Sequence, residues 1–169
     1  MTDTIIITPA ELNLLEKSLQ SVAGSVDNLQ QITYALMPFT GLDTTLQNFC
    51  AAVNKTRAIQ LAYTADNLNT ITVTCQKALV IYNTVVELVV NILKHSCAKN
   101  ATVHVEKKGQ MLHIAVGDDG EGFDEASIIG AAGNGYKKMK ADLQTINGSI
   151  NKLTTRQKGT LITIQIPLI

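Results

Sequence analysis

The chain has 169 residues, a formal net charge of zero and an apolar fraction of 46%. That length allows one domain with a sizeable core, or one domain with an appendage. The balanced charge gives no electrostatic reason to expect a nucleic-acid partner or an anionic membrane surface. No apolar run reaches the length of a membrane-spanning helix, and no signal-peptide pattern stands at the N-terminus. Cys50, Cys75 and Cys97 have neither zinc nor disulfide spacing and indicate thiols in a reducing compartment.

The first predicted element is a long helix that begins at Thr8-Pro9 and ends before Pro38. Its apolar residues recur at alternating spacings of three and four, which is typical of a coiled coil or a helical bundle. The members of this seam are Leu12, Leu15, Leu19, Val22, Val26, Leu29 and Leu36, interrupted by Thr33. We therefore expect a homodimer through residues 12–36. The alternative is an amphipathic helix that lies on its own domain.

Periodicity and turn residues predict the remaining elements in chain order. Helices are predicted over residues 41–54, 74–96 and 136–146, and strands over 58–63, 102–107, 110–118, 149–154 and 160–168. A hairpin turn at Lys108-Gly109 would pair Val105 with Leu112 and place His104 opposite His113. Two such histidines could bind a metal, although an exposed pair on a hairpin usually does not. The order predicts helices packed against one mixed or antiparallel sheet in two layers, an α/β or α+β fold.

The central predicted helix is apolar on all sides except along one polar stripe. Asn83, Glu87, Asn91, Lys94 and His95 follow spacings of three and four, so they share one face of the helix. Unpaired charges are costly to bury in a core. The stripe therefore either forms a paired polar seam between helices or lines a cavity.

Two glycine clusters follow that helix. The first, Asp118-Asp119-Gly120-Glu121-Gly122, ends a strand and combines backbone that a flat ligand can approach with a carboxylate. A carboxylate there can accept a hydrogen bond from an exocyclic amine such as that of adenine. The second, Gly133-Asn134-Gly135, precedes a helix whose free N–H groups and dipole favour phosphate. Neither cluster is a P-loop or a dinucleotide-binding turn.

The stripe and the glycine clusters together describe an ATP–Mg²⁺ site. The side-chain oxygen of Asn91 can ligate Mg²⁺, a hard cation that also binds phosphate oxygens. Lys94 can reach a phosphate as a point charge. Glu87, one turn earlier, can orient or deprotonate an attacking group.

The order and spacing of these residues resemble the N, G1, G2 and G3 boxes of sensor histidine kinases, within the gyrase, histidine kinase and MutL ATPase superfamily. The segments are Glu87-x-x-x-Asn91-x-x-Lys94-His95, Asp118-x-Gly120-x-Gly122-Phe123, Gly133-x-Gly135 and Gly159-Thr160. The resemblance covers about residues 36–168 and is strongest to kinases paired with LuxR-like response regulators. It implies a Bergerat-type ATP-binding fold, an α/β two-layer sandwich with a mixed sheet of about five strands covered by helices on one face, plus the long N-terminal helix.

The resemblance also implies roles for single residues. Asn91 would hold Mg²⁺, Asp118 would bind the adenine amine and Thr160 would lie near the base. Glu87 would be the catalytic group nearest the chemistry. The remaining site residues would face the phosphates or shape the pocket and its lid, and they are Lys94, His95, Gly120, Gly122, Gly133 and Gly135.

A phosphoacceptor histidine is missing from the expected place. The histidines are His95, His104 and His113, all inside the predicted ATP domain. Residues 1–38 therefore read as a partial dimerisation helix, and residues 39–169 as the ATP-binding catalytic domain. We expect a cytoplasmic histidine kinase, or the cytoplasmic part of a membrane sensor. It would transfer the γ-phosphate of ATP to a histidine on a missing helix or a partner protein, with a response regulator downstream.

Two alternatives stay open at the level of sequence. The resemblance is broken at Val90, Tyr136 and Asp142, where the family often has an asparagine, a leucine and an arginine. These departures and the missing histidine also fit a non-catalytic nucleotide-binding or dimerising regulatory module. A serine kinase of the anti-sigma type would share the ATP fold, but the long helical seam and the Leu36-Met37-Pro38 junction argue against it.

Overall fold

The computed structural model describes residues 26–68, 71–122, 133–154 and 159–168. Within these residues the chain forms three helices and five strands. The helices are α1 (Val26–Lys55), α2 (Cys75–His95) and α3 (Gly133–Gln144). The strands are β1 (Gln60–Asp66), β2 (Asn100–Lys108), β3 (Met111–Asp118), β4 (Ser149–Thr154) and β5 (Thr160–Pro167). Every predicted element in this part of the chain is present, with its ends moved by three residues or fewer.

The five strands form one mixed sheet in the order β1-β2-β3-β5-β4. β1 runs parallel to β2, and the other neighbouring strands pair antiparallel. Alternate residues on each strand are buried, as Val103, Val105, Ile114 and Ile164 show. The helices cover this apolar face, while the opposite, open face carries polar residues together with the exposed Leu153 and Leu161. The predicted two-layer sandwich with a mixed five-stranded sheet is therefore confirmed.

α1 is two helical segments joined at Gly41, where the backbone leaves helical geometry with φ 76° and ψ 163°. The predicted stop before Pro38 was wrong by three residues, because the break needs a positive φ that glycine adopts without a steric penalty. Beyond Gly41 the helix packs Leu42, Leu46 and Cys50 into the core. Residues 12–25 of the predicted dimer seam lie outside the described residues.

α2 is the central helix of the core. Thr74 caps its N-terminus by accepting a hydrogen bond from the backbone N–H of Lys77 at 3.2 Å. Nine of its side chains are buried, and the ring of Tyr82 meets that of Phe49 edge to face at 6.0 Å. By length and composition alone this 21-residue helix could cross a membrane. The sequence did not predict this, because the uninterrupted apolar run within the helix is shorter. Its packing against α1 and the sheet is that of a core helix.

The hairpin between β2 and β3 differs from its predicted register by two residues. Its turn lies at Gly109-Gln110, and Val105 faces Ile114 rather than Leu112. A shift of two keeps every side chain on its predicted face, because the side-chain period of a strand is two.

The same shift separates the two histidines that were predicted to pair. His104 faces Ala115, and His113 faces Glu106. The Nδ1 atom of His104 instead lies 2.8 Å from the hydroxyl oxygen of Thr64 on β1. The predicted cross-strand histidine pair is therefore wrong.

Candidate functional site

The polar stripe of α2 lies where the sequence predicted it. Glu87 and Asn91 are half-buried, and Lys94 and His95 are exposed at the C-terminal end of the helix. The stripe therefore lies at the edge of the core rather than inside it. Its exposed end carries the positive charge, and its half-buried part carries the carboxylate and the amide.

Asp118 is the last residue of β3 and sits on the helix-covered face, between Ala101 on β2 and Thr160 on β5. Partial burial raises the pKa of its carboxyl, and the charge of Asp119 raises that pKa further. A hydrogen bond from the backbone N–H of Gly120 to Oδ1, 2.8 Å long, opposes both effects. The result is a half-buried carboxylate in a fixed orientation.

Gly120 joins the strand end to the end of α2. The residue is buried, and a Cβ added to it would overlap the carbonyl oxygen of Ser96 and lie 2.7 Å from Oδ1 of Asp118. The next backbone N–H, that of Glu121, donates to the same Ser96 carbonyl at 2.9 Å. Because Asn91 precedes Ser96 by five residues, it lies about 7.5 Å along the helix axis from this junction. The loop that carries the Asp118 carboxylate therefore meets the end of the helix that carries the stripe.

Gly159 and Thr160 complete the carboxylate end. Gly159 has φ 81°, and a Cβ there would overlap the backbone carbonyl oxygen of Asp118. Glycine is thus required both by the backbone angle and by the close approach of the two chain segments. Thr160 follows it, is buried, and pairs with Asp118 across the sheet.

The second glycine cluster lies at the start of α3. This helix begins at Gly133 rather than near Tyr136, so the predicted start was three residues late. Both glycines consequently belong to the first turn, whose N–H groups lack partners within the helix. A Cβ on Gly135 would lie 3.3 Å from Oε1 of Glu87, which places the first turn of α3 against the α2 stripe. Gly122, at the end of the first cluster, has φ 67°.

A concavity of about 420 Å³ opens beside Asp118, but it is not the space between the helices and the sheet. Thr102, Gly117, Leu153 and Leu161 line it, and they occupy register positions on the open face. No described residue of α2 or α3 lines it. It therefore lies behind the carboxylate end of the site.

Three residues of the carboxylate end were not singled out from the sequence. Ser96, Asn100 and Asp119 hold the loop that carries Gly120, through contacts between segments about 20 residues apart. Asp119 directly follows Asp118, and an aspartate at a turn often binds nearby backbone N–H groups. That adjacency was the available signal.

The profile of a protein family decides the classification. The family described as histidine kinase-, DNA gyrase B-, and HSP90-like ATPase matches residues 76–169, which include all but the first residue of α2, both glycine clusters and the last strand. The chain belongs to this ATPase family. The resemblance to the ATP-binding domain of histidine kinases is thus confirmed, whereas pairing with a LuxR-like regulator stays a prediction.

Solved histidine kinases share the fold of this ATPase-family chain. The histidine kinase domain of the blue-light activated kinase of Erythrobacter litoralis EL346 is 21% identical, with a TM-score of 0.67 over 94% of this chain and 83% of that chain. Another structure of that kinase gives 20% identity and a TM-score of 0.64, covering 99% of this chain and 63% of that one. Acinetobacter baumannii AdeS gives 15% identity and a TM-score of 0.55, covering 98% and 88%.

The three departures from the family pattern have different surroundings. Val90 and Tyr136 are half-buried and pack against the core, and burial raises the pKa of the Tyr136 hydroxyl. Asp142 is exposed on α3. None of the three replaces Asn91, Asp118 or a glycine of the site.

The donor set of this site fits Mg²⁺ only in company with phosphates. Among the described residues no group of three or more His, Cys, Asp or Glu side chains could hold a metal ion. Mg²⁺ commonly takes one or two protein oxygens and completes its shell with phosphate oxygens and water. A half-buried Asn91, one helical turn after the Glu87 that lies against the start of α3, can supply one such oxygen.

Proposed function

We propose that this ATPase-family chain is the ATP–Mg²⁺-binding catalytic domain of a two-component sensor histidine kinase. In this proposal ATP supplies the γ-phosphoryl group, Mg²⁺ neutralises its charge, and the acceptor is a histidine outside this chain. The observation that carries the proposal is the docking of the Asp118 loop on the end of α2, through Gly120 and Ser96. It joins a base-binding carboxylate to a stripe suited to metal and phosphate.

The base would bind at the carboxylate end. Gly120 fixes Oδ1 of Asp118 by its N–H, so the carboxylate is oriented before any ligand arrives. An exocyclic amine of adenine would donate to this carboxylate, and Thr160 would lie beside the ring. The closely packed Gly120 and Gly159, with Gly122, would keep the backbone near a flat base.

The phosphates would bind between α2 and α3. Asn91 would offer its side-chain oxygen to Mg²⁺, and Lys94 and His95 would face the phosphates from the exposed end of the stripe. Gly133 and Gly135 would present N–H groups of the first turn of α3. Glu87, which lies against that turn, would orient the incoming acceptor or accept its proton.

The rest of the chain would connect the domain to its partners. We propose that residues 1–38 are a partial dimerisation helix, that residues 39–169 are the catalytic domain, and that two copies pair through residues 12–36. The bend at Gly41 supports a boundary near this point. The response regulator partner and the cytoplasmic location also belong to the proposal. A mass measurement that finds only monomer at high micromolar concentration would contradict the dimer.

Phosphate transfer tests the proposal directly. The chain would be incubated with γ-labelled ATP, Mg²⁺ and a separately prepared two-helix dimerisation domain that carries a phosphoacceptor histidine. We expect acid-labile label on that domain, and none when Asn91→Ala replaces the parent chain. Nucleotide binding without label on any supplied dimerisation domain would favour a regulatory module, and acid-stable label on serine would favour a serine kinase.

A further inference from the structure

The carboxylate of Asp119 clamps the segment between α2 and β2, residues 96–100, to the end of β3. Its Oδ1 atom accepts hydrogen bonds from the backbone N–H groups of Lys99 and Asn100, both 2.9 Å long. Its Oδ2 atom accepts a third bond, 2.7 Å long, from the side-chain amide of Asn100. The backbone N–H of Asp119 donates to the carbonyl of Asn100 at 3.1 Å. We call this set of contacts the Asp119 clamp.

The clamped segment needs such support because most of it belongs to neither a helix nor a strand. Residues 96–99 connect α2 to β2, and Cys97 within them has a positive φ of 53°. A non-glycine residue with that backbone angle is strained unless its surroundings fix it. The three bonds to Asp119 hold Lys99 and Asn100, two and three residues after Cys97.

The clamp reaches Asp118 through atoms in contact. Ser96, at the other end of the segment, presents its carbonyl to Glu121 and leaves no room for a side chain on Gly120. Gly120 in turn donates to Oδ1 of Asp118. A shift of residues 96–100 would therefore displace one of the two backbone groups that hydrogen-bond the Asp118 carboxylate, the other being Thr160.

Asp119 itself is not placed to contact the base. Its carboxylate already accepts three hydrogen bonds from the 96–100 segment, and its side chain is exposed. It also lines the concavity on the far side of the strand ends. Its effect on a bound nucleotide would be indirect.

We propose that Asp119 is a positioning residue of the nucleotide site, which fixes residues 96–100 and through Gly120 orients Asp118 toward the exocyclic amine of adenine. This inference rests on the proposed function, since it presumes that the site binds an adenine nucleotide.

The test compares an adenine with an inosine nucleotide, because inosine lacks the exocyclic amine. Affinities of the full chain for Mg-ATP and Mg-ITP would be measured by calorimetry, beside Asp119→Ala and Asp119→Asn. Glu121→Gln, which removes an equal charge two residues away, is the matched control. A hydrogen bond to a charged group predicts a parent preference for ATP of roughly tenfold or more.

We expect Asp119→Ala to reduce that preference to about threefold or less, by weakening ATP binding while ITP binding stays near the parent value. The amide oxygen in Asp119→Asn can still accept hydrogen bonds from backbone N–H groups. This variant should therefore lose less of the preference for ATP over ITP. Glu121→Gln should keep the parent ratio. An unchanged ratio in both Asp119 variants, or equal losses for both nucleotides, would overturn the inference.

A pH series measures a separate property, the effect of the Asp119 charge on the ionisation of Asp118. The charge of Asp119 raises the pKa of Asp118, and it is the only charged group among the described residues that does so. Removing it in Asp119→Asn should shift the acid-side loss of ATP affinity to lower pH. A parent chain that binds neither nucleotide would instead refute the proposed function.

Discussion

The two ends of the candidate site are built from different kinds of atoms. The carboxylate end, around Asp118, consists of backbone packed without free space, where Gly120 meets Ser96 and Gly159 meets Asp118. The stripe end consists of side chains on the surface of α2, half-buried at Asn91 and exposed at Lys94. The first end is shaped by steric fit, and the second by charge.

This difference predicts how each end responds to change. Added atoms at the carboxylate end have no space to enter, so even a methyl group should be disruptive. Charges at the stripe end face solvent, so their effects should be graded and reduced by salt. The predictions below test each end in turn.

The largest effect is expected from Gly120→Ala, because its Cβ would overlap the carbonyl oxygen of Ser96. We expect loss of detectable Mg-ATP binding and a destabilisation of about 1–3 kcal/mol. Gly117→Ala is the control, since the nearest atom its Cβ would meet is the side-chain oxygen of Thr102 at 3.3 Å. That variant should bind within a few-fold of the parent. Calorimetry and thermal unfolding measure both quantities, and parent-like binding by Gly120→Ala would refute the steric account.

Asp118→Asn should weaken Mg-ATP binding by roughly ten- to hundredfold, because it removes the charged acceptor for the adenine amine. The folded state raises the pKa of Asp118, mainly by burial, so ionising this group disfavours folding. The unfolding temperature of Asp118→Asn at neutral pH should therefore equal or exceed that of the parent.

The same shift sets the pH dependence of the parent. Its affinity for Mg-ATP should fall as the pH decreases through the raised pKa of Asp118, and Asp118→Asn should lack this transition. Titrations of the parent and of Asp118→Asn with Mg-ATP at several pH values measure this transition. Identical acid-side profiles for the two chains would place the adenine contact elsewhere.

The smallest effect is expected at the exposed Lys94. Lys94→Ala should weaken Mg-ATP binding by about three- to tenfold at low salt, and the difference should shrink in high salt because an exposed charge is screened. Lys108→Ala, on the open face of the sheet, controls for the change in net charge. Equal effects of the two variants would show that Lys94 acts only through the overall field.

The periodic parts of the chain were predictable from the sequence. The alternation in β2, β3 and β5 and the polar stripe of α2 gave the elements and the faces, because burial imposes those periods directly. The hairpin register was not predicted correctly, because a slip of two residues leaves every side chain on the same face of the sheet. The break at Gly41 was placed three residues early because Pro38 is the stronger local signal.

Only the residue types of the candidate site and their order could be predicted from the sequence. Asn91, Asp118 and the glycines could be named from their chemistry and order. The contacts that fix them could not, because Asp119 binds Lys99 across 20 residues and no local pattern encodes that pairing. The Asp119 clamp is therefore a property of the folded chain.

Calorimetry of Mg-ATP binding to the parent chain, beside Asn91→Ala, tests the central claim most directly. Asn91 is the one proposed protein ligand of Mg²⁺, and it lies on the helix surface rather than in the core. The account predicts that the parent binds Mg-ATP and that Asn91→Ala loses this binding while unfolding at the parent temperature. Binding that is absent in the parent, or unchanged in Asn91→Ala, would contradict it.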